Sequence, residues 1–106
     1  MISPYEIYII YLSWGSGGKV RPVLAFIVDD DTIDIYQITT KYESKRGEIK
    51  ASYFKIGDWA QAGLDRESYV DTGTLITLPM DAFKGKIPAG KLTHMDKQRL
   101  FEFLGE

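Results

Sequence analysis

The stretch Val20-Arg21-Pro22-Val23-Leu24-Ala25-Phe26-Ile27-Val28, then Asp29-Asp30-Asp31-Thr32, then Ile33-Asp34-Ile35-Tyr36-Gln37-Ile38-Thr39, decides how the chain folds. Its first third is a short run of β-branched and aromatic residues, which favours a buried strand. The aspartates and threonine at 29–32 favour a turn, because their short side chains compete for backbone hydrogen bonds. The last third alternates apolar and polar, the pattern of a strand buried on one face. Together they predict an antiparallel hairpin. Pro22 cannot donate a ladder hydrogen bond, so its end of the strand belongs at a sheet edge or a strand start.

On the N-terminal side, residues 5–12 (YEIYIIYL) read as another strand, bounded by Pro4 and by Ser13-Trp14-Gly15. On the C-terminal side a polar loop at 41–47 leads to a fourth strand at 48–56, whose alternation is less clean. Asp58 is placed to cap one helical turn at 59–62, with Gly63 closing it in the left-handed conformation. Residues 68–78 form a long fifth strand with Gly73 as a bulge or bend, ended by Pro79. A further helical turn is expected at 81–83. Thr93 with Asp96 three residues on resembles a capping box. Leu92, Met95, Leu100, Phe103 and Leu104 give an apolar stripe, so a C-terminal helix is predicted over 93–104. The expected fold is mainly β: about five strands in a small barrel or strongly curved sheet, with a C-terminal α-helix and one or two short helical turns.

The 106 residues are 44% hydrophobic and 26% charged, which fits one globular domain spanning 1–106 without repeat or linker. There is no cysteine, which removes disulfides, zinc-thiolate sites and thiol nucleophiles. Residues 1–6 lack a basic leader, and the apolar run at 7–12 is too short for a signal segment or a membrane span. A soluble, cytoplasmic protein with no membrane partner is expected. Thirteen Lys and Arg against 15 Asp and Glu argue against bulk electrostatic binding of nucleic acid. The charge is nevertheless segregated. Residues 29–34 and 58–71 are acidic, whereas 41–55 hold Lys41, Lys45, Arg46, Lys50 and Lys55, and 84–99 hold Lys84, Lys86, Lys91, Lys97 and Arg99. Such segments are more often solvated faces than polyanion sites.

Several chemical constellations fail. Trp14-Gly15-Ser16-Gly17-Gly18-Lys19 lacks the glycine and the Ser or Thr that a phosphate-binding P-loop requires, and it joins two strands instead of opening a helix. It reads as a flexible β-β loop able to close over a ligand. Asp29-Asp30-Asp31 with Asp34 lacks the calcium-loop spacing and reads as a solvated turn. His94 is the only histidine, so mechanisms needing two are excluded, and it reads as a surface residue. Arg21 remains, at the mouth of an apolar strand between a glycine-rich loop and a proline. Its guanidinium suits bidentate binding of phosphate. A rim ion pair with Glu6 or Asp71 is an equally good account of it. Thr39-Thr40-Lys41 adds two hydroxyls and a cation at the end of the next strand.

In their order these pieces resemble the MazF/PemK-like toxins of bacterial toxin-antitoxin systems. The resemblance rests on Gly18-Lys19-Val20-Arg21-Pro22-Val23-Leu24 and Ile38-Thr39, and on Trp59-Ala60-Gln61-Ala62-Gly63-Leu64-Asp65-Arg66-Glu67-Ser68-Tyr69-Val70. Thr77-Leu78-Pro79 and Gly90-Lys91-Leu92-Thr93-x-x-Asp96 complete it, so it covers nearly the whole chain. It implies an SH3-like β-barrel, a homodimer, and metal-independent cleavage of single-stranded RNA by attack of the 2′-hydroxyl on the adjacent phosphate. No cofactor is implied, and a small cognate antitoxin is the implied protein partner. By position Arg21 and Thr39 take the catalytic roles. Arg21 grips the phosphate and assists proton transfer, and Thr39 donates to a non-bridging oxygen. Trp14, Lys19, Thr40 and Lys41 are implied to bind substrate. The chain departs from the family at Tyr5-Glu6-Ile7, where Gly-Asp-Ile is usual, and at Ile76, where many relatives carry arginine. These departures admit an alternative, a catalytically weak or inactive barrel that binds protein or nucleic acid.

Overall fold

The 12-residue strand β2 (Gly17–Val28) organises the sheet, pairing antiparallel with β1 (Glu6–Trp14) on one side and β3 (Thr32–Thr39) on the other. The remaining elements are α1 (Gly47–Lys50), β4 (Tyr53–Lys55), β5 (Tyr69–Pro79), a 3₁₀ turn at Met80–Phe83, β6 (Gly90–Lys91) and α2 (His94–Phe103). The six strands lie in the order β4-β5-β3-β2-β1-β6 in one antiparallel sheet curled into a half-barrel. The computed structural model describes residues 1–105; Glu106 and the side chain of Trp14 lie outside the described residues.

Period-two alternation sends the apolar residues of each strand to both faces, so the sheet carries a core on either side. On one face Ile7, Leu24, Ile38, Val70, Leu92 and Leu100 pack together with Ile56 and Ala62. On the other, Tyr8, Ile10, Val23, Ala25, Ile33 and Ile35 pack with Phe83 of the 3₁₀ turn. Ile7, Leu24, Ile33 and Ile35 are each wholly buried, and a side chain of that size contributes roughly 1.5–3 kcal/mol. Burial and a hydrogen bond to Glu6 push the Tyr8 hydroxyl up to about 12, so the second core holds it neutral.

The expected bulge in β5 is present. Ile35 pairs with Ile76 but Gln37 pairs with Asp71, so four residues including Gly73 stand opposite Tyr36 alone. Gly63 has φ +95° and closes a turn in which Ala62 N donates to Asp58 O. Asp58 does not cap that turn with its side chain; its Oδ2 accepts instead from Thr93 Oγ1.

Two further expectations need correction. Residues 48–56 are not one strand but α1 followed by the three-residue β4. As the last strand of the sheet, β4 has a partner on one side only, so residues 47–52 satisfy their backbone locally, Ala51 N donating to Gly47 O and Ser52 Oγ to Ile49 O. The apolar stripe of α2 is also narrower than expected. The buried positions are Leu92, Asp96 and Leu100, spaced i, i+4, i+8, while Met95 and Phe103 are exposed. Of the strand tyrosines, Tyr8, Tyr36, Tyr53 and Tyr69 are buried, and Tyr11 is exposed, at 63%.

Candidate functional site

Pro22 shapes the site through the bond it cannot make. It pairs with Ile9 of β1, yet the ladder between β2 and β3 begins only at Val23 opposite Gln37. From residue 22 back to 19 the flank of β2 toward β3 is unpaired, where a residue without an N–H is tolerated. β2 and β3 therefore part company, and a cleft of ≈ 160 Å³ opens between residues 19–22 and 38–41.

The cleft is lined by Lys19, Arg21, Thr39, Thr40 and Lys41, with the buried Ser68 closing it from the β5 side. Five residues singled out in the sequence thus come together. The sixth, Trp14, ends β1 with its backbone, and its side chain lies outside the described residues. The glycine-rich segment is not the open loop expected around it. Trp14 pairs with Gly17 and Leu12 with Lys19, so only Gly15 and Ser16 make the turn, with Gly15 at φ +43°. A two-residue turn that tolerates positive φ lets the ladder run almost to its tip. Lys19 is therefore a strand residue held beside the cleft.

Arg21 sits opposite Ile10 and shares its face. Its Nε is buried and has no hydrogen-bond partner, the single buried side-chain nitrogen or oxygen among the described residues so left. The rim ion pair considered from sequence is not formed. Glu6 Oε1 accepts from Ser3 N and Tyr8 Oη, Asp71 Oδ1 accepts from Gly73 N, and Arg21 is in none of the ion pairs among the described residues. A buried donor without an acceptor costs roughly 1–3 kcal/mol, and more when charged, so the geometry calls for an external acceptor. No Asp or Glu lines the cleft, which makes an anion the matching ligand.

Thr39 is set up as a donor. Its Oγ1 accepts from Lys41 N at 3.1 Å, which orients the hydroxyl and leaves its proton for a ligand. The next face position across the sheet is Tyr69, and Lys55 pairs with it in turn. Tyr53 lies nearby; burial pushes its hydroxyl up, the Asp71 charge adds to the rise, and the Arg21 charge opposes it. Arg21, Asp71 and Tyr53 therefore share one electrostatic neighbourhood. The carboxylate there is fixed by Gly73 N and not by the guanidinium.

One supporting residue escaped the sequence reading. Tyr42 stacks on Tyr69 with centroids 4.4 Å apart and planes 9° from parallel, and Lys50 Nζ lies 4.8 Å from its centroid. This stack fastens the segment carrying Thr40 and Lys41, and an aromatic inside a polar loop was its only sequence signal. Ser68, read in the sequence only as part of the resemblance and of the fifth strand, precedes β5 and donates to Arg66 O at 2.8 Å.

No family model and no curated protein matches the chain. Thirteen chains among solved structures do. One is the Mycobacterium tuberculosis toxin MazF-mt6, with a TM-score of 0.69 and 26% sequence identity, covering 94% of this chain and 92% of that chain. The chain has a MazF-like toxin fold.

Proposed function

We propose, from the premise of a MazF-like toxin fold, that this chain is an endoribonuclease toxin that cuts single-stranded RNA and is neutralised by a cognate antitoxin. The observation that carries the proposal is the unpaired, buried Nε of Arg21 in a cleft lined by cations and hydroxyls and by no carboxylate. A phosphodiester supplies the missing acceptor. In the reaction the ribose 2′-oxygen attacks phosphorus as the bond to the 5′-oxygen breaks. The 2′-hydroxyl loses a proton and the departing 5′-oxygen gains one, giving a cyclic phosphate and a 5′-hydroxyl end. The substrate carries its own nucleophile, which suits a chain without cysteine and with one exposed histidine.

The protein's task is to stabilise charge. Attack spreads an additional negative charge over the non-bridging oxygens, and preoriented donors act on that charge at no cost of reorganisation. Arg21 meets it with a fixed fork of N–H donors and assists the proton transfers. Thr39, oriented by Lys41 N, donates to a non-bridging oxygen. Lys19, Thr40 and Lys41 hold the flanking backbone, and Trp14 serves base binding. A homodimer in the cytoplasm completes the proposal.

The test is incubation of the pure protein with a long single-stranded RNA in EDTA. Wild type is expected to cut it and leave 5′-hydroxyl ends. Arg21→Ala is expected to lose roughly 10²-fold or more in rate and Thr39→Val about tenfold or more, both with unchanged circular dichroism. Intact RNA with wild type, or equal cutting by Arg21→Ala, overturns the assignment.

A further inference from the structure

A buried tyrosine usually gives its hydroxyl proton to a partner, and Tyr8 and Tyr69 do so, to Glu6 and Glu67. Tyr53 does not. It is 9% exposed, its ring lies against that of Tyr42 with centroids 6.3 Å apart, and its hydroxyl makes no hydrogen bond to another described residue. Its oxygen is not sealed from solvent, since Arg21 Nε is the single unpartnered side-chain atom that is. A fixed ring with a free and accessible hydroxyl is a donor kept for a ligand. Strand register places it on the face of the residues assigned to the phosphate. Tyr53 pairs with Asp71, Asp71 with Gln37 and Gln37 with Val23, so these four share a face, and Arg21 joins them two residues before Val23. Thr39, two residues beyond Gln37, lies on it as well. From β2 to β4 is three strand spacings, about 14 Å at ~4.8 Å each, across a sheet that curls. Arg21 and Tyr53 stand at the two sides of that span, close enough for the guanidinium charge to act on the phenol, and burial and Asp71 outweigh that charge, so the hydroxyl keeps its proton through the neutral range.

We infer that Tyr53 is a third catalytic group, the acid that gives its proton to the departing 5′-oxygen while Arg21 and Thr39 hold the phosphate; the inference rests on the reading of the chain as an RNA-cutting protein. As the 2′-oxygen bonds to phosphorus, the bond from phosphorus to the 5′-oxygen breaks and its electron pair stays on that oxygen, which takes the Tyr53 proton. The phenolate then recovers from water the proton that the 2′-hydroxyl released to water, so the protein ends unchanged. The other groups at hand serve this step less well. Arginine does not give up its proton in a protein, and His94 is exposed on α2. Lys19 and Lys41 are exposed on flexible stems, whereas a general acid works from a held position, and the Tyr53 ring is held.

The experiment compares two leaving groups. A short RNA is made around a site that wild type cuts, once with the natural 5′-oxygen at the scissile bond and once with sulfur in its place. The sulfur departs as a thiolate and needs no proton. Single-turnover rates at saturating protein, less the spontaneous rate, are measured for wild type, Tyr53→Phe and Arg21→Ala. Tyr53→Phe keeps the ring and removes a hydroxyl that bonds to no described residue, so its fold and urea midpoint should match wild type. It is expected to cut the oxygen linkage roughly 10²- to 10⁴-fold more slowly than wild type, and the sulfur linkage less than about threefold more slowly. Arg21→Ala, which loses the grip on the phosphate itself, should slow both linkages alike. If Tyr53→Phe cuts the oxygen linkage at the wild-type rate, or slows both linkages equally, Tyr53 is not the proton donor, and the nuclease reading stands without it. If wild type cuts no RNA at all, the nuclease reading falls, and the role of Tyr53 falls with it.

Discussion

Tyr5 has φ +72°, the one positive value outside glycine among the described residues. A side chain in the left-handed region costs roughly 1–2 kcal/mol, so something must hold it there. Its N–H donates to Ala25 O at 2.6 Å, its carbonyl accepts from Leu92 N, and its ring meets Phe26 edge-on at 6.1 Å with Lys97 Nζ 5.5 Å from its centroid. The sharp entry to β1 and the ring contacts therefore oppose each other in one residue. Removing the ring should destabilise the fold, but glycine relieves the strain and alanine does not. Tyr5→Gly should thus be about 1 kcal/mol more stable than Tyr5→Ala in urea unfolding, the reverse of the usual order within a strand. If alanine is the better substitute, the left-handed backbone is not a constraint of the fold. This conformation was hidden in the sequence because a tyrosine carries no mark of positive φ, whereas Gly63, the same conformation with the expected residue, was read directly.

Helix α2 shows the same contrast over a larger span. Thr93 and Asp96 were legible as a capping box, and Thr93 Oγ1 does accept from Asp96 N at 3.3 Å. The carboxylate, however, is fully buried in the first turn of the helix and accepts from Gly57 N, Asp58 N and Arg99 Nη1 at 3.1, 2.8 and 2.6 Å. Two of those donors are 38 and 39 residues away in sequence, and no local pattern announces such a pairing. The strands β1, β2, β3 and β5 were legible because period two and turn residues are local, and the segment at 48–56 was not, because its outcome depends on β4 having one neighbour. At the cleft, likewise, Arg21 and Thr39 were legible as residue types, but the parting of β2 from β3 that joins them was not. Asp96→Ala leaves two half-buried backbone N–H groups and a guanidinium without their acceptor and should cost about 3 kcal/mol or more. Arg99→Ala removes only a half-exposed partner and should cost about 1 kcal/mol or less. Urea midpoints of the two variants measure the difference; equal losses would mean that the ion pair, and not the backbone contacts, docks the helix.

Over the whole molecule, the net charge of -2 and the basic cleft make opposing demands on a polyanionic ligand. Position resolves them. The acidic turn begins at Asp29, eight residues from Arg21 along β2, or about 26 Å of strand at ~3.3 Å per residue. A Debye length near 8 Å at physiological salt screens one end from the other, so on the proposed function Lys19, Arg21 and Lys41, which line the cleft, should act on a bound strand and the distant aspartates should scarcely do so. Three phosphate contacts on a single strand give a slope of log affinity against log salt of about -2, at roughly -0.7 per contact. Binding of an uncuttable all-deoxy oligonucleotide, followed by fluorescence anisotropy, should therefore weaken about 100-fold between 50 and 500 mM salt. Lys41→Ala should make the slope shallower by about 0.7, and neutralising Asp29 and Asp30 should leave it unchanged. A wild-type slope shallower than about -0.7 would mean that fewer than one of these cations meets a phosphate, and that net charge, not the local cleft, governs how this fold meets a nucleic acid.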